Sequence, residues 1–433
     1  MTKAMYIPYV LPSWYDGRYI NEVKFCSEFL AYRDLKFIDN TFYSIDGVVP
    51  LQKIEKDITD LLICANITRG IGSKVTTLTN ALKRIAYTDD LEIPQDEIHI
   101  ANGVLNIDGT FSEYKTFCKN RLNVNYNPDA ERPTVWLNFL SELLEADDIK
   151  TLQEFMGYCL INSTKAQAMM FIIGNGGEGK SRIGVVMYDI FKDSAYFGSI
   201  NELAADKFLK SNLIGKSLLI DDDMNLNGLK DTSFLKSLAT SETPMTVQAK
   251  RVQGVQVTLS VRSMCFSNGS LSAIHDKSDG WNRRLLILSA KPISKNRITD
   301  HNLSEKLLAE KENIFLWMFE GLQRLTENEF EFTRSEKLKQ NLAEVKEDNC
   351  NIIGFFKDEQ FIEFDRNAES STVRLYKNYC DWCEINGLIE LKRDTFSGWL
   401  KQNQSKYNLT YSDYIFDGQE KKSRGYRGIK ILK

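Results

Sequence analysis

The chain has 433 residues, of which 42% are hydrophobic and 26% are charged, with 25 Gly and 8 Pro. This composition is typical of globular proteins and excludes disordered and collagen-like chains. Lys and Arg number 55 against 59 Asp and Glu, which gives a net charge of −4. A protein that coats nucleic acid with its whole surface is therefore excluded, and any contact with DNA must be local.

The chain contains no segment typical of a membrane or secreted protein. The longest apolar runs, such as residues 169–173, are far shorter than the roughly 20 residues that span a bilayer. No apolar signal core precedes Pro8 and Pro12, so we expect a cytoplasmic protein without a membrane partner. Among 8 cysteines and 3 histidines, only Cys380 and Cys383 form a CxxC pair, which favours core cysteines on one helix over a zinc site.

The first 132 residues alternate short helix and strand patterns, which predicts an α+β domain over residues 1–132. Apolar residues at three- and four-residue spacing predict an amphipathic helix over 73–87. An Asn-Gly and an Asp-Gly turn dipeptide predict β-hairpins over 97–114. Two further helices, 133–144 and 147–160, precede a region in which apolar strands alternate with helices, the signature of an α/β domain.

The sharpest pattern in the chain is G-x-x-x-x-G-K-S, the phosphate-loop motif. A strand-like segment, 169–173, precedes it and a helical segment, 183–191, follows it. Glycines let consecutive backbone N–H groups surround an anion, and the helix N-terminus adds its dipole. We predict that Lys180 reaches the β- and γ-phosphates of ATP and that Ser181 binds Mg²⁺. The predicted phosphate loop consists of Gly174, Asn175, Gly176, Gly177, Glu178, Gly179, Lys180 and Ser181.

An acidic cluster follows the next strong strand pattern, about 40 residues after the phosphate loop. The apolar residues 218–220 end in three successive aspartates, Asp221, Asp222 and Asp223. At this distance from a phosphate loop, we predict that Asp221 holds the Mg²⁺ shell and that Asp222 orients the attacking water. The water-activating role stays open between Asp222 and Asp223.

Two further polar positions stand beside strand patterns. Asn268 ends the strand-like run 257–266 and is placed to bond the γ-phosphate or the attacking water, although Asn-Gly is also a common turn. Arg283 and Arg284 precede the apolar run 285–288. A pair of arginines at this point is a candidate arginine finger for a neighbouring subunit, and the alternative is a solvated basic turn.

The C-terminal residues 351–433 form a module of their own. Two helices, 371–386 and one from about 394, are followed by strands at 409–415 and 426–432, which is the winged-helix order. From residue 392 onward, ten Lys and Arg stand against four acids, so this part carries +6 in a chain of −4. This asymmetry favours phosphate contacts, and the alternative is a solvated basic tail. The predicted DNA contacts in this module are Lys421, Lys422, Arg424 and Arg427.

A third hairpin is predicted inside the α/β region. Residues 245–259 are strand-like on both sides of a basic tip that contains Lys250 and Arg251. The alternatives are a DNA-contacting hairpin and an ordinary surface hairpin with two solvated cations.

The order of these elements resembles the superfamily 3 helicases of the AAA+ class, above all the helicase part of phage, plasmid and poxvirus primase-helicases. Staphylococcal mobile-element replication helicases are also similar. The resemblance rests on the phosphate loop, Asp221-Asp222, residues 236–251, Asn268 and Arg283-Arg284. Upstream, residues 100–108, 126–129 and 152–158 are similar to the domain that precedes the motor in that family.

The resemblance implies a Mg²⁺-dependent ATP hydrolase and DNA helicase that forms a homo-oligomeric ring, expected to be a hexamer. Such a protein translocates 3′ to 5′ on one strand and unwinds duplex during replication of a phage, plasmid or other mobile element. The implied cofactors are ATP and Mg²⁺, and the implied partners are single-stranded and forked DNA, with a replication initiator or primase as candidate protein partners. Lys250 and Arg251 are expected to grip DNA in the ring channel.

The implied fold class is α/β, with an AAA+ P-loop ATPase core over 133–335 between the α+β N-terminal domain and the C-terminal winged-helix domain. Two departures from the family stand out. Residues 1–95 show no primase pattern, and the second acid after the strand is often Glu in the family but is Asp222 here. The rival hypothesis is an ATP-switched DNA-binding initiator or loader that does not unwind DNA.

Overall fold

The computed structural model describes the following residues of the chain: 11–89, 94–224, 232–241, 243–248, 254–269, 279–294, 300–416 and 422–432. The chain divides into two compact units. The first is formed by Met1–Gly269 with Arg284–Leu338, and the second by Ser270–Arg283 with Lys339–Lys433. No helix in the described ranges is long and apolar enough to span a bilayer.

The first unit begins with a small subdomain that has a hydrophobic core of its own. Its antiparallel sheet has the order β1-β2-β3, and apolar residues of its helices, including Phe25, Ile58 and Leu82, are buried in the core. The predicted helix over 73–87 is confirmed as α3. The elements are α1 (Glu22–Tyr32), β1 (Leu35–Ile38), β2 (Thr41–Ser44), β3 (Gly47–Val49), α2 (Leu51–Cys64) and α3 (Ile71–Ile85).

The following segment contains the predicted hairpins and the two predicted helices. Its elements are β4 (Glu97–Ile100), β5 (Gly103–Asn106), β6 (Phe111–Ser112), α4 (Thr134–Leu143) and α5 (Ala146–Tyr158). Ile98, Ile100 and Leu105 belong to the same core as the central sheet. One hydrophobic core therefore ends and the next begins near residue 90. The domain boundary between residues 132 and 133 stays a prediction.

A five-stranded parallel sheet forms the centre of the first unit, with the order β13-β7-β12-β9-β8. Its inner strands β7 and β9 are buried on both faces for most of their length, in agreement with their nearly continuous apolar sequences. The chain passes through β7 (Met169–Gly174), α6 (Ser181–Phe191), β8 (Ala195–Phe197), α7 (Ile200–Ala205), β9 (Leu218–Asp221), α8 (Ser233–Thr240), β10 (Met245–Val247), β11 (Val255–Val257), β12 (Arg262–Asn268), α9 (Asp279–Asn282) and β13 (Leu285–Ser289).

Helix α6 lies close against one face of this sheet. Its apolar residues Ile183, Val186 and Ile190 share a core with alternate residues of the strands. A Cβ atom at Gly184 would lie 3.0 Å from the Phe266 ring, so only a residue without a side chain allows this approach. The close contact fixes the N-terminus of α6 relative to the strand ends.

Two helices beside the sheet meet backbone to backbone. They are α5 and α11 (Lys311–Glu327), and α10 (Leu303–Ala309) precedes α11 in the chain. A Cβ atom at Gly157 would lie 2.4 Å from the Met318 carbonyl oxygen, and one at Gly321 would lie 2.4 Å from the Gln153 carbonyl oxygen. Next to this crossing, the Arg324 guanidinium donates to the buried Glu154 carboxylate at 2.7 Å.

The predicted central hairpin, β10 and β11, pairs antiparallel from Met245 opposite Val257 to Val247 opposite Val255. The strands of that prediction are thus confirmed. Its tip residues Lys250 and Arg251 lie outside the described residues.

The second unit contains the C-terminal elements around a separate, aromatic-rich core. The CxxC pair lies on α14, where Cys383 is buried. Strands β15, β17 and β16 form one sheet in that order, and β14 pairs with β18. Following α12 (Glu336–Asn349), which crosses the boundary between the units, the elements are α13 (Ile352–Lys357), β14 (Ile362–Glu363), β15 (Glu369–Ser371), α14 (Thr372–Ile385), α15 (Arg393–Asn403), β16 (Thr410–Ile415), β17 (Ser423–Arg427) and β18 (Lys430–Ile431).

Candidate functional site

The phosphate loop lies at the carboxyl edge of the parallel sheet, between the end of β7 and the start of α6. Gly176, Gly177 and Gly179 have φ angles of 101°, 84° and 97°, in the region that favours glycine. The loop therefore curls back on itself, and the N-terminus of α6 follows directly. This arrangement is the one in which a glycine-rich loop presents backbone N–H groups to an anion.

An acidic side chain of the loop itself receives these donors. The Glu178 carboxylate accepts hydrogen bonds from the backbone N–H groups of Asn175 at 2.5 Å and Gly176 at 3.0 Å. Burial alone would raise the pKa of Glu178, but the hydrogen bonds from Lys180 and from the loop backbone outweigh it and lower the pKa to about 2. Glu178 is therefore a carboxylate held in a ring of donors.

Lys180 lies at the centre of the loop and is 6% exposed. Its Nζ atom donates to Glu178 Oε2 at 2.8 Å and to Asn268 Oδ1 at 3.2 Å. The lysine thus joins the phosphate loop to the neighbouring strand.

Asn268 ends β12, directly beside β7. It lies opposite Gly174 in the parallel register, and the Gly269 N–H donates to the Gly174 carbonyl at 2.9 Å. The structure therefore brings Asn268 together with Lys180. Because β12 lies between β7 and β9, Asn268 stands between the phosphate loop and the acidic cluster.

Asp221 ends β9, and its carboxylate is only 3% exposed. Its Oδ2 atom accepts from the Ile200 backbone N–H at 2.7 Å, at the start of α7. Burial raises the pKa of Asp221, and the backbone hydrogen bonds from Ile200 and Asp223 oppose this shift. The predicted Mg²⁺ anchor is thus engaged with the N-terminus of a helix.

Asp222 differs from its neighbour in this respect. Its Oδ1 atom is buried and has no hydrogen-bond partner. Asp222 directly follows the last residue of β9. It therefore lies at the carboxyl edge of the sheet, where the phosphate loop also lies.

This set of residues fits a Mg²⁺–nucleotide complex. Mg²⁺ in such sites is held by one or two protein oxygens together with substrate phosphates. Ser181 begins α6, and the unpartnered Asp222 oxygen is the acidic donor at the same carboxyl edge of the sheet. Within the described ranges, no group of three or more His, Cys, Asp or Glu side chains is placed to hold a metal by itself.

Arg284 lies at the opposite, amino edge of the sheet. Leu285 pairs with Met169, so Arg284, one residue earlier, is about six residues of strand or roughly 20 Å from Gly174. Arg284 is 8% exposed, and its Nη2 atom donates to Gln167 Oε1 at 3.1 Å, whereas Arg283 is exposed. Arg284 thus does not lie beside the phosphate loop of its own chain.

A groove of about 510 Å³ opens beside the phosphate loop. Its size is that of a small-molecule site. Ile293 reaches the loop closely, because a Cβ atom at Gly177 would lie 3.3 Å from its Cδ1 atom. The lining residues are Val135, Asn138, Phe139, Glu142, Gly177, Gly179, Arg182, Ile293, Asp300, Leu303 and Lys306.

The groove is the part of the site that sequence reasoning missed. Its residues come from α4, the phosphate loop, α6 and the segment around α10, and those outside the phosphate loop belong to no motif. Arg182 gives the one available signal, since it directly follows the phosphate loop, and its Nη1 atom donates to Ser304 Oγ at 2.6 Å.

The predicted DNA contacts in the second unit lie on the C-terminal hairpin, formed by β16 and β17. Arg424 and Arg427 are 79% and 59% exposed, with Asp413 and Glu369 at 3.2 and 3.7 Å. Lys422 follows the tip, and its Nζ atom lies 4.9 Å from the centre of the Tyr414 ring. Lys421 lies outside the described residues, as do Lys250 and Arg251.

Comparisons with known proteins give one family match and a set of similar folds. Residues 172–284 match a family of unknown function (DUF5906), a stretch that contains the phosphate loop, the acids, Asn268 and both arginines. No curated protein matches the chain.

Among solved structures, the chain is similar to the A form apo structure of the NrS-1 C terminal region (305-718). The TM-score is 0.54 and the identity 12%, over 93% of this chain and 98% of that chain. Another structure of the NrS-1 C terminal region has a TM-score of 0.47 and 14% identity, over 71% of this chain and 78% of that chain. At 12% identity, the first likeness shows a shared mixed α/β fold built on a parallel sheet.

Proposed function

We propose that this protein is a Mg²⁺-dependent ATP hydrolase of the AAA+ superfamily 3 type that unwinds DNA during replication of a phage, plasmid or other mobile element. The single observation that carries the proposal is the meeting of Lys180 with Asn268 at the carboxyl edge of the parallel sheet. A phosphate loop, a polar strand end and an acidic strand end adjoin there, which is the set of groups that nucleotide hydrolysis requires.

Each group has a role in this proposal. The loop N–H groups and Lys180 bind the β- and γ-phosphates, and Asn268 orients the γ-phosphate or the attacking water. Bound Mg²⁺ neutralises charge that develops on the phosphate oxygens, and Ser181 with Asp222 would hold it. Asp223 then becomes the neighbouring candidate for positioning water, and Asp221 supports the edge by fixing α7. The groove beside the loop is the proposed place of the base and ribose.

The second unit is proposed to be a winged-helix domain that binds DNA. The order α13, β15, α14, α15, β16, β17 supports this, since three helices and a three-stranded sheet ending in a hairpin make up that fold. Lys422, Arg424 and Arg427 on the C-terminal hairpin are exposed cations suited to phosphates.

We further propose a homo-oligomeric ring, expected to be a hexamer, in which an arginine acts on the nucleotide of the neighbouring subunit. Arg283 is the better candidate, because Arg284 is buried and bonded to Gln167. An Arg283→Ala variant should bind ATP but hydrolyse it poorly. Mixing it with Lys180→Ala should restore activity, because each supplies what the other lacks. No recovery among subunits that demonstrably exchange would exclude the trans role.

The experiment that tests the function measures ATP hydrolysis and strand displacement on a forked duplex in one preparation. We expect both for the wild type and neither for Lys180→Ala. Lys56→Ala, a change of a 68% exposed lysine, is the matched control. ATP hydrolysis and DNA binding without strand displacement would instead support an ATP-switched initiator or loader.

A further inference from the structure

The most unusual feature of the phosphate loop is that its own side chain fills it. We infer that Glu178 is an intramolecular competitor of the ligand, because its carboxylate occupies the loop donors that a ligand phosphate needs. This inference rests on the proposed nucleotide-binding function and adds to it a residue that sets the affinity of the site for phosphate groups.

Competition follows from the number of donors. The Asn175 and Gly176 N–H groups and the Lys180 ammonium all donate to Glu178. A backbone N–H group has one proton to donate, so it cannot bond a phosphate oxygen and the carboxylate at full strength at the same time. Binding of a phosphate therefore requires Glu178 to leave.

Space leads to the same conclusion. Glu178 is 4% exposed, and a Cβ atom at Gly174 would already lie 2.9 Å from Glu178 Oε1 and 2.8 Å from Lys180 Nζ. The ring of donors is closed around one anionic group. A second anion beside the carboxylate would also be repelled at short range in a buried setting.

The competitor affects every phosphate ligand in the same way. Phosphate, pyrophosphate and ATP all need the donors that Glu178 occupies, so each binds only to molecules whose carboxylate has left the loop. The further contacts of a polyphosphate with Lys180 and Ser181 add to its intrinsic affinity and do not change the fraction of open molecules.

The size of the effect follows from population arithmetic. The apparent dissociation constant equals the intrinsic one divided by the fraction of molecules whose loop is open. If the open state is a minor one, populated at the order of 10% or less, removal of the competitor should tighten binding about tenfold or more.

The test measures binding of Mg²⁺-pyrophosphate, inorganic phosphate and Mg²⁺-ATP by calorimetry to the wild type, Glu178→Gln and Glu178→Ala. Gln keeps the size of the side chain and removes the charge, which guards against loss of the fold. We expect both variants to bind all three ligands more tightly, on the order of tenfold for pyrophosphate. The ratio of the pyrophosphate and phosphate dissociation constants should stay the same, because one open fraction divides both. A merely structural role of Glu178 would instead weaken binding or leave it unchanged in the variants.

Glu113→Gln is the control, because Glu113 is exposed and lies outside the groove and the phosphate loop. It should leave all three dissociation constants unchanged. Unchanged or weaker binding by both folded Glu178 variants would overturn the inference, even if the wild type hydrolyses ATP. Tighter binding by the variants without ATP turnover by any protein would keep the inference and overturn the proposed hydrolase. No binding of any ligand by any variant would overturn both.

Discussion

In the phosphate loop, Glu178 and Lys180 are 4% and 6% exposed and bond each other at 2.8 Å. In the C-terminal hairpin, the arginines Arg424 and Arg427 are 79% and 59% exposed, and their acidic neighbours lie at the surface or half-buried. Buried charges act strongly over short distances, whereas exposed ones are screened by water and salt. A single substitution in the phosphate loop should therefore change ATP turnover strongly. In the hairpin, each substitution should make only a small, additive change in DNA binding.

The largest effect is expected for Lys180→Ala. It removes the one ammonium that bonds both Glu178 and Asn268, so ATP turnover should fall on the order of a thousandfold. Steady-state turnover is measured beside the circular dichroism spectrum, with Lys56→Ala as the control. Turnover near the wild-type rate in a folded variant would rule out the nucleotide assignment.

The next effect separates the two aspartates at the end of β9. Asp222→Asn should lower turnover about a hundredfold and change the free energy of unfolding by less than about 1 kcal/mol, because its Oδ1 atom has no partner to lose. Asp221→Ala should lower the free energy of unfolding by about 1–2 kcal/mol, since it leaves the buried Ile200 N–H group at the start of α7 without its acceptor. Urea unfolding and turnover on the same samples check both.

The opposite pattern would restore the assignment made from the sequence. If Asp221→Ala abolished turnover without a loss of stability, and Asp222→Asn left turnover unchanged, Asp221 would be the Mg²⁺ anchor despite its bond to Ile200.

A smaller effect is expected in the C-terminal hairpin. Replacing Arg424 and Arg427 together by Ala should weaken binding of forked DNA several-fold to about tenfold at low salt. The slope of log affinity against log salt should flatten by about 2, one for each lost phosphate contact. ATP turnover without DNA should not change. Lys24→Ala with Lys53→Ala removes two exposed cations elsewhere, and an equal loss in that control would mean that the hairpin has no special role.

The smallest effect concerns Asp413, the exposed neighbour of Arg424. Asp413→Asn should change the free energy of unfolding by no more than about 0.5 kcal/mol, because surface ion pairs contribute little. The same change should tighten DNA binding by a few-fold, since it releases Arg424 and removes a negative charge. A stability loss of about 2 kcal/mol would show that the hairpin depends on its ion pairs as the loop does.

The sequence predicts best where the signal is local. The phosphate loop carries its own glycine pattern, its preceding strand and its following helix within about 20 residues, so position and geometry agree. Asn268 could also be placed, because a polar residue at the end of an apolar strand lies at the carboxyl edge of a parallel sheet. The hairpin of β10 and β11 likewise follows from local alternation.

Features that depend on distant partners could not be predicted. Asp221 and Asp222 are the same residue type, and what distinguishes them is the hydrogen bond of Asp221 to the N-terminus of α7. The motif accepts any residue at the position of Glu178, so the sequence does not predict that its carboxylate bonds Lys180 in the folded loop. Arg284 is buried and bonds Gln167, whereas Arg283 is exposed, and neighbouring arginines in a sequence do not show this difference. The groove joins residues from 135 to 306 that no spacing relates.

The strand order has a consequence for how the chain folds during synthesis. Strand β7 carries the phosphate loop, yet its two neighbours are β12 and β13, which follow it by about 90 and 115 residues. Pairings between segments so distant in sequence form slowly. The subdomain of residues 11–89, with its separate core, is complete long before then and is free to fold first. The pairing of β7 can therefore be completed only after β13 has been made. Until β12 has been made, β7 is an apolar strand with two unpaired edges.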